Sequence, residues 1–390
     1  MTFSAEPADK RRFLLQAVAS VRDVLAVGAE ESEILRTLPP ASVAALTDTG
    51  LFAMKAPAEL GGAEADPVTQ LEVIEATSYI DPSAGWCLAI CNGGVCITGA
   101  FLPQPAVERL FTNGRTPRVA GSFTPGGKAV AVDGGYRISG RWPWASGIRH
   151  AEWLGAMTLV ESDDGNSRYP RMSVIPVTQV QIHDNWHVSG LKGTGSCDFS
   201  VADLFVPEAF TIDLRTWEPK RGGPLYQLGF PGLLINELAG FALGVARRSL
   251  DAIIDLAQTK RRGYGKQTVL AGREVVQRVI GEGDLRLRAA RALALEIFEK
   301  AWQTVCAGQK PSAKLQVEMR GVTTLVTDVA LDVATLAFRY GGGSAIHLNS
   351  ILQRCLRDLQ AGAAHLMVSD SAYEIHGQCL LGVDVVDPMA

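Results

Sequence analysis

The chain has 390 residues, of which 47% are hydrophobic and 20% are charged, and its formal net charge is −4. This length supplies apolar material for a large core and for two or three domains. We see no basic stripe, no signal peptide and no uninterrupted apolar stretch long enough to cross a bilayer, so we expect a cytoplasmic protein that binds neither nucleic acid nor membrane.

The first 115 residues are predicted to form a helical N-terminal domain. Apolar residues recur at spacings of three and four from Phe13 to Leu25. Residues 68–100 predict a long helix, a break at Asp81-Pro82, and a buried helix after the break.

Residues 116–222 are predicted to form a β-barrel-like middle domain. Residues 130–140 have the alternation of a hairpin, with Asp133-Gly134-Gly135 as its turn. Further strands are predicted at residues 153–160, 172–177, 180–186 and 199–206.

Residues 223–390 are predicted to form a four-helix bundle. The helical period returns there in four long segments, at residues 233–258, 275–306, 312–338 and 348–376. The seven cysteines and six histidines show no metal-ligand spacing, so we expect reduced thiols and no metal site.

Two loops combine aromatic, glycine and hydroxyl residues. The first spans residues 140–147 (Gly-Arg-Trp-Pro-Trp-Ala-Ser-Gly), and the second spans residues 186–196 (Trp-His-Val-Ser-Gly-Leu-Lys-Gly-Thr-Gly-Ser). Aromatic rings can stack on a planar ligand, while glycines allow the backbone to approach it and hydroxyls bond its polar edge. An isoalloxazine ring has that shape and chemistry.

These loops resemble the central β-domain of the acyl-CoA dehydrogenase superfamily. More narrowly, they resemble its oxygen-using branch, the two-component flavin-dependent monooxygenases typified by p-hydroxyphenylacetate and steroid-ring hydroxylases. The resemblance extends from about residue 30 to the C-terminus. It implies the three-part fold given above, a homotetramer, and hydroxylation of a small organic substrate with O2 and reduced FMN or FAD. No second nucleotide-binding unit for NAD(P)H is visible, so a separate flavin reductase is expected.

The resemblance also assigns residues to the cofactor. The predicted flavin-binding residues are Ser122, Trp144, Ala145, Ser146, Thr194, Gly342, Gly343 and Ser344. Each assignment has a structural alternative, because tryptophans two apart on a strand often fill a core and glycine-rich segments often form ordinary turns.

Three residues are predicted to be catalytic by resemblance. Ser146 would reach the N5 edge of the flavin, and His365, which follows Arg357-Asp358, would deprotonate a phenol or orient the peroxide. Asn92 occupies the place where oxygenase relatives often have a histidine. Asparagine can donate a hydrogen bond but cannot act as a base, so substrates other than phenols stay open.

The main alternative is an acyl-CoA dehydrogenase with FAD and a non-standard base. The usual glutamate bases of that group are not clearly present, although Glu237 lies one turn beyond one of their positions. A second alternative is a non-enzymatic protein with the same fold.

Overall fold

The structure is a computed structural model, and it describes residues 3–161, 167–263, 268–383 and 387. The chain forms two compact units. The first unit comprises Met1–Asp66, Trp86–Val188 and Lys192–Gln227. The second unit comprises Pro67–Gly85, Ser189–Leu191 and Leu228–Ala390.

Six helices precede the sheet. They are α1 Pro7–Ser20, α2 Arg22–Leu35, α3 Pro40–Asp48, α4 Pro67–Ile80, α5 Pro82–Phe101 and α6 Gln104–Leu110. Four of the six begin with proline, whose missing N–H group has no partner to lose at a helix start. The predicted break at Asp81-Pro82 is confirmed, and the Asp81 carboxylate caps α5 by accepting a hydrogen bond from the Ser83 N–H at 3.0 Å.

Seven strands form one mixed sheet in the order β5-β6-β2-β1-β3-β4-β7. They are β1 Val119–Val132, β2 Gly135–Trp142, β3 Trp153–Glu161, β4 Arg168–Pro176, β5 Gln181–His183, β6 Asp198–Pro207 and β7 Thr211–Asp213. The predicted hairpin is confirmed: Val132 pairs with Gly135, and Gly134 has a φ of +74°. The strand predicted over 180–186 is shorter than expected, and β7 was not predicted.

The sheet brings the two aromatic and glycine-rich loops together. Trp142, at the end of β2, is paired with Phe199, near the start of β6, in an antiparallel ladder. The loop that leaves β2 and the loop that enters β6 therefore emerge side by side. Both residues are fully buried, and their rings stack with centroids 5.2 Å apart. The core of the first unit thus fixes the bases of both loops.

The C-terminal region is helical. Its elements are α7 Gly232–Thr259, a small ribbon of β8 Arg261–Arg262 and β9 Thr268–Val269, α8 Glu274–Cys306, α9 Ala313–Gly341, α10 Ile351–Ala363 and α11 Ser371–Leu380. Gly240 and Gly244 allow α7 to lie directly against α4, because a Cβ at either position would overlap the backbone carbonyls of Leu71 or Glu75.

The prediction of one helix over 348–376 is wrong. The chain leaves the helix after α10 and forms a short 3-10 helix, Leu366–Val368, before α11 begins. The buried Arg320 stabilises this break, since its guanidinium donates to Ser369 Oγ at 3.2 Å and to Ser371 Oγ at 2.8 Å. These bonds compete with the continuation of a regular helix.

Two helices have the length and hydropathy of a membrane span, contrary to the sequence expectation. They are Pro82–Phe101 and Ala313–Ala345, whose most apolar 18-residue windows have mean hydropathies of 1.4 and 1.5. The most apolar windows of these helices are 83% and 61% buried inside the protein. This burial is the behaviour of core helices, whose apolar residues contact other elements rather than lipid.

Candidate active site

Three buried hydroxyl groups form a continuous hydrogen-bonded cluster in the first unit. Ser146 Oγ lies 2.7 Å from Ser196 Oγ, which in turn lies 2.7 Å from Thr194 Oγ1. We call Ser146, Thr194 and Ser196 the hydroxyl cluster. The indole N–H of Trp86 donates to Ser146 Oγ at 3.1 Å. Because an indole can only donate, the hydrogen of Ser146 remains for Ser196 or for a ligand.

Backbone bonds between the two loops fix the hydroxyl cluster. The Ala145 N–H donates to the Cys197 carbonyl at 3.3 Å, and the Gly147 N–H donates to the Thr194 carbonyl at 2.8 Å. Gly147 has a φ of +77°, a conformation that favours glycine. Ala145 is fully buried within this arrangement. The backbone therefore places Ser146 reproducibly beside Ser196.

The two tryptophans of the first loop have opposite environments. Trp142 is fully buried and donates its indole N–H to the Met157 carbonyl at 2.6 Å. It therefore fills the core, which was the alternative to a flavin contact for these tryptophans. Trp144 is 64% exposed and has a φ of +61°. A non-glycine residue in the left-handed region costs about 1–2 kcal/mol. An exposed ring on strained backbone is a feature of ligand sites.

Ser122, another predicted flavin contact, lies on β1 where the pairing of β1 with β3 shifts register. Its hydroxyl accepts a hydrogen bond from the Thr124 N–H at 3.2 Å, and the residue is 8% exposed. The hydroxyl keeps its own hydrogen to donate. Its role at the flavin stays a prediction.

Asn92 has a structural role that conflicts with the predicted catalytic one. Its amide nitrogen donates to the carbonyls of Leu51 and Leu88, both at 3.0 Å, and its Oδ1 accepts from the Lys55 N–H at 3.1 Å. The residue is fully buried. Both amide hydrogens are used, so Asn92 has none left to donate to a ligand. The residue ties α5 to the segment before α4.

In the second unit, charged residues of α10 hold residues 189–191 of the second loop. Asp358 Oδ1 accepts from the Leu191 N–H at 2.6 Å, and the Arg357 guanidinium donates to the Ser189 carbonyl. A Cβ at Gly190 would overlap the carbonyl of Arg357, so the peptide lies directly against α10. Three contacts therefore fix residues 189–191.

The same aspartate belongs to an ion cluster that consists of Asp81, Arg354 and Asp358. Arg354 lies 3.1 Å from the carboxylate of Asp81 and 3.7 Å from that of Asp358. The side chains of the two aspartates are 0% and 1% exposed. We call these three residues the charged cluster. Buried charges require such pairing because desolvation of a lone ion is costly.

His365 caps the short 3-10 helix of the second unit. Its Nδ1 accepts a hydrogen bond from the Met367 N–H at 3.3 Å. Burial lowers the pKa of His365 to about 4, so the ring is neutral near pH 7. An accepting Nδ1 places the ring hydrogen on Nε2. The geometry therefore favours the donor role over the role of base for this residue.

Family models match both ends of the chain. Residues 7–100 match the model described as acyl-CoA dehydrogenase, N-terminal domain, and residues 237–370 match the one described as acyl-CoA dehydrogenase, C-terminal domain.

Individual relatives decide the branch. An indole-3-acetate monooxygenase of Pseudomonas putida is 31% identical over 85% of this chain and 84% of its own length. The chain belongs to the flavin-dependent monooxygenases of the acyl-CoA dehydrogenase superfamily. The oxygenase subunit HsaA of a flavin-dependent monooxygenase from Rhodococcus jostii is 27% identical over 96% of this chain and all of its own length. The solved structure of XiaF from a Streptomyces species, in complex with FADH2 and glycerol, has a TM-score of 0.90 at 25% identity and covers 98% of both chains.

This membership confirms the predicted superfamily, the three-part fold and the predicted enzyme class. Glu237, the candidate base of the dehydrogenase alternative, is 2% exposed on α7. Within the described residues, no group of three or more His, Cys, Asp or Glu side chains could hold a metal ion.

The monooxygenase also has a basic loop that sequence reasoning missed. Lys260 Nζ donates to the Gly341 carbonyl at 2.6 Å and to Ser344 Oγ at 2.7 Å. Burial and the neighbouring Arg262 both lower the pKa of Lys260. Gly342 has a φ of +56°, and nothing lies within 4 Å of a Cβ built on Gly343. Cations beside open glycine backbone suit a phosphate group.

The signal for this basic loop was present in the sequence. Lys260-Arg261-Arg262 is a basic triplet that directly precedes a glycine, but it lies about eighty residues before the Gly341 loop. Only the packing of α7 against α9 brings the two segments together. The predicted contacts of Gly342, Gly343 and Ser344 with the flavin stay predictions.

Proposed function

We propose that this protein is the oxygenase component of a two-component system, which receives reduced flavin from a separate reductase and hydroxylates a small aromatic substrate. The observation that carries the proposal is the buried hydroxyl cluster beside the exposed, strained Trp144. When bound, reduced flavin would supply the two electrons for the reaction of O2, so that one oxygen atom would enter the substrate and the other would leave as water.

The residues of the first unit fit the ring of a flavin. Trp144 offers an aromatic face, and Ser146 offers a hydroxyl. Hydrogen bonds with Trp86 and Ser196 hold that hydroxyl in place. Such preorganised donors stabilise developing charge without reorganisation during the reaction. In the second unit, the neutral His365 would hold a hydrogen bond through Nε2.

We further propose that the flavin is FAD rather than FMN. The basic loop with Lys260, Arg262 and Ser344 offers donors to a diphosphate, which FAD has and FMN lacks. The FADH2 complex of the related XiaF supports this choice.

The aromatic substrate is proposed from the relatives rather than from a pocket. The Pseudomonas putida relative is named for indole-3-acetate, an aromatic acid.

We propose a homotetramer for the assembly. Ile346 and Leu348, which follow the Gly341 loop, are 66% and 85% exposed. The two exposed aliphatic side chains lie close together in the sequence, and a second subunit would cover them. The expected cytoplasmic location remains a prediction.

An anaerobic titration followed by oxygen tests the proposed function. Reduced FAD should bind more tightly than reduced FMN, and either reduced form more tightly than its oxidised form. Addition of O2 and indole-3-acetate, or another small aromatic compound, should then give a hydroxylated product. If reduced flavin does not bind at high micromolar concentration, the proposal fails. Oxidation of butyryl-CoA with an artificial electron acceptor would instead support the dehydrogenase alternative.

A further inference from the structure

His365 lies at the start of a short 3-10 helix that does little to hold its own shape. The Val368 N–H donates to the His365 carbonyl at 3.0 Å, and the Met367 N–H donates to His365 Nδ1 at 3.3 Å. A single turn of this kind has poorer hydrogen-bond geometry than an α-helix. The direction of the His365 ring therefore depends on what holds the backbone of Met367.

Arg320 holds Met367 from the side of α9. Its Nε donates to the Met367 carbonyl at 3.4 Å, and the same guanidinium donates to the hydroxyls of Ser369 and Ser371. These two hydroxyl oxygens lie 2.9 Å apart. Met367 thus accepts from Arg320 through its carbonyl and donates to His365 through its N–H, so this one residue connects the two side chains.

The helix α9 gives Arg320 a rigid base. Arg320 is 1% exposed, and its neighbours Met319, Val322 and Thr323 are 0–3% exposed. A planar guanidinium with several donors fixes the acceptors that it contacts relative to the helix that carries it. Side chains of a reactive site need such support, because they must be held within about 0.5 Å of the productive geometry.

A buried arginine at this position is better suited to geometry than to stability. The cost of removing its charge from water largely offsets the hydrogen bonds that it makes. Burial lowers the pKa of Arg320, and the carboxylate of Asp387 opposes that shift. The arginine holds three oxygens around one planar group, which an apolar residue of similar size could not do.

We propose that Arg320 is a positioning residue for hydroxylation, which holds the backbone of Met367 and thereby the direction in which the His365 ring donates its hydrogen bond. The inference rests on the proposed function, in which His365 is a donor at the reacting groups. A displacement of about 1 Å at such a group can cost a hundredfold in rate. Loss of Arg320 should therefore uncouple oxygen consumption from hydroxylation. In an uncoupled turnover, both oxygen atoms leave as hydrogen peroxide with two protons and the two electrons of reduced flavin, and the substrate is recovered unchanged.

The coupling ratio measures this effect. It is the hydroxylated product formed per reduced FAD oxidised, with the aromatic compound that the parent hydroxylates, indole-3-acetate being tried first. Arg320→Met should lower the ratio by about tenfold to a hundredfold, with a matching gain of hydrogen peroxide. Arg320→Lys keeps a cation but loses the planar fork, so it should retain more coupling than Arg320→Met. The affinity for reduced FAD should be nearly normal in both variants.

Thr327→Val is the matched control. Thr327 lies on the same helix, is 4% exposed, and donates its hydroxyl to the Thr323 carbonyl at 2.9 Å. The substitution therefore removes a buried polar group of α9 without touching the short 3-10 helix. Its coupling ratio should equal that of the parent.

A double-mutant cycle separates positioning from a general structural role. If Arg320 acts through His365, the double variant Arg320→Met/His365→Ala should be no more uncoupled than His365→Ala alone. If the two losses multiply, Arg320 acts by another route and the inference is wrong. Should Arg320→Met not fold, Arg320→Lys carries the same cycle.

Hydrogen exchange in the flavin-free protein tests the geometry without turnover. The amides of Met367 and Val368 each bond to His365, so in Arg320→Met they should exchange about tenfold faster than in the parent. Mass spectrometry of a peptide that covers residues 365–371 gives this rate. Thr327→Val should exchange like the parent there. Equal exchange in Arg320→Met and the parent would show that Arg320 does not hold this segment.

The outcomes separate this inference from the proposed function. If the parent hydroxylates its substrate and Arg320→Met keeps the same coupling ratio, the inference alone is wrong. If the parent binds reduced FAD but makes no hydroxylated product with any aromatic compound tried, the proposed function fails and the inference fails with it.

Discussion

The hydroxyl cluster of the first unit and the charged cluster of the second unit are both buried, but their chemistry differs. The hydroxyls of Ser146, Thr194 and Ser196 are neutral, and each can donate or accept. A ligand can therefore change the direction of these hydrogen bonds without moving a heavy atom. Such a cluster suits a site that must accommodate a cofactor in more than one redox state.

The charged cluster has no comparable freedom. Arg354 can only donate, and the carboxylates of Asp81 and Asp358 can only accept while they are ionised. The cluster also fixes two backbone groups, the Leu191 N–H and the Ser83 N–H. The comparison indicates that the ionic groups anchor the backbone, whereas the neutral hydroxyls can exchange donor and acceptor roles.

The largest effect is expected at His365, which is a neutral donor like the hydroxyls but belongs to the second unit. His365→Ala should lower product formation by about 10²–10⁴-fold and release the consumed oxygen as hydrogen peroxide. Reduced-flavin binding should be nearly normal. Product and peroxide are measured per flavin oxidised.

His365→Gln distinguishes the two roles of this residue. Glutamine can donate a hydrogen bond but cannot accept a proton at neutral pH. If His365 acts as a donor, the glutamine variant should keep much more coupling than the alanine variant. Equal losses in both variants would contradict the donor role and favour a base. Full activity in both would remove His365 from the site.

Disruption of the charged cluster should have its main effect on stability. Arg354→Met leaves two buried carboxylates without their guanidinium and should lower the free energy of unfolding by about 3–5 kcal/mol, as for other broken buried pairs. Arg168→Met, which breaks an exposed pair with Glu161, should cost no more than about 1 kcal/mol. Denaturant unfolding compares the two, and similar losses would show that the charged cluster is not an anchor.

A smaller effect is expected within the hydroxyl cluster. Ser196→Ala removes the middle hydroxyl, so Ser146 keeps its bond from Trp86 but loses its bond to the cluster. Reduced-flavin binding should weaken by about tenfold, the usual cost of one hydrogen bond. Unfolding stability should change little. Ser200→Ala, which removes a hydroxyl on β6 that is bonded to His183 on β5, is the matched control. If the two variants bind reduced flavin equally well, Ser196 does not support the cofactor site.

The fold was predictable because its signals are local or periodic. Asp133-Gly134 fixed the β1–β2 hairpin, and Pro82 fixed the start of α5. The division of the last helix was not predictable, because it depends on Arg320, which lies about fifty residues earlier in the chain and bonds Ser369 and Ser371. Hydrogen bonds between side chains that far apart in sequence do not change the hydrophobic periodicity from which helices are predicted.

Residues of the candidate site were predictable only where the family resemblance could be assigned to individual residues. Ser146 and Thr194 were named in advance, but Ser196 and Trp86, which complete their bonds, were not. Asn92 was predicted to be catalytic from its position in the family motif, and that position does not reveal which groups the side chain bonds. Its bonds to the backbone of Leu51 and Lys55, about forty residues earlier, appear only once α5 is packed.

The smallest expected effect is a change of stability with pH, which comes from histidine rings that burial keeps neutral. Burial lowers the pKa of His365 and of His150 to about 4, and Arg118 adds to the shift at His150. Below the ordinary histidine pKa of about 6.5, the unfolded chain binds protons that the folded chain refuses. Stability contributed by each ring is therefore present above about pH 6.5 and is lost as the pH falls toward 4.

Between pH 7.5 and pH 6, each histidine should account for a loss of about 0.8 kcal/mol in the free energy of unfolding. Denaturant unfolding at the two pH values measures the loss, and His365→Gln should remove the share of one histidine. A parent protein whose stability is equal at both pH values, or higher at pH 6, would show that these rings are not held neutral by burial. If the glutamine variant loses as much stability between the two pH values as the parent, His365 does not contribute to the loss and His150 does.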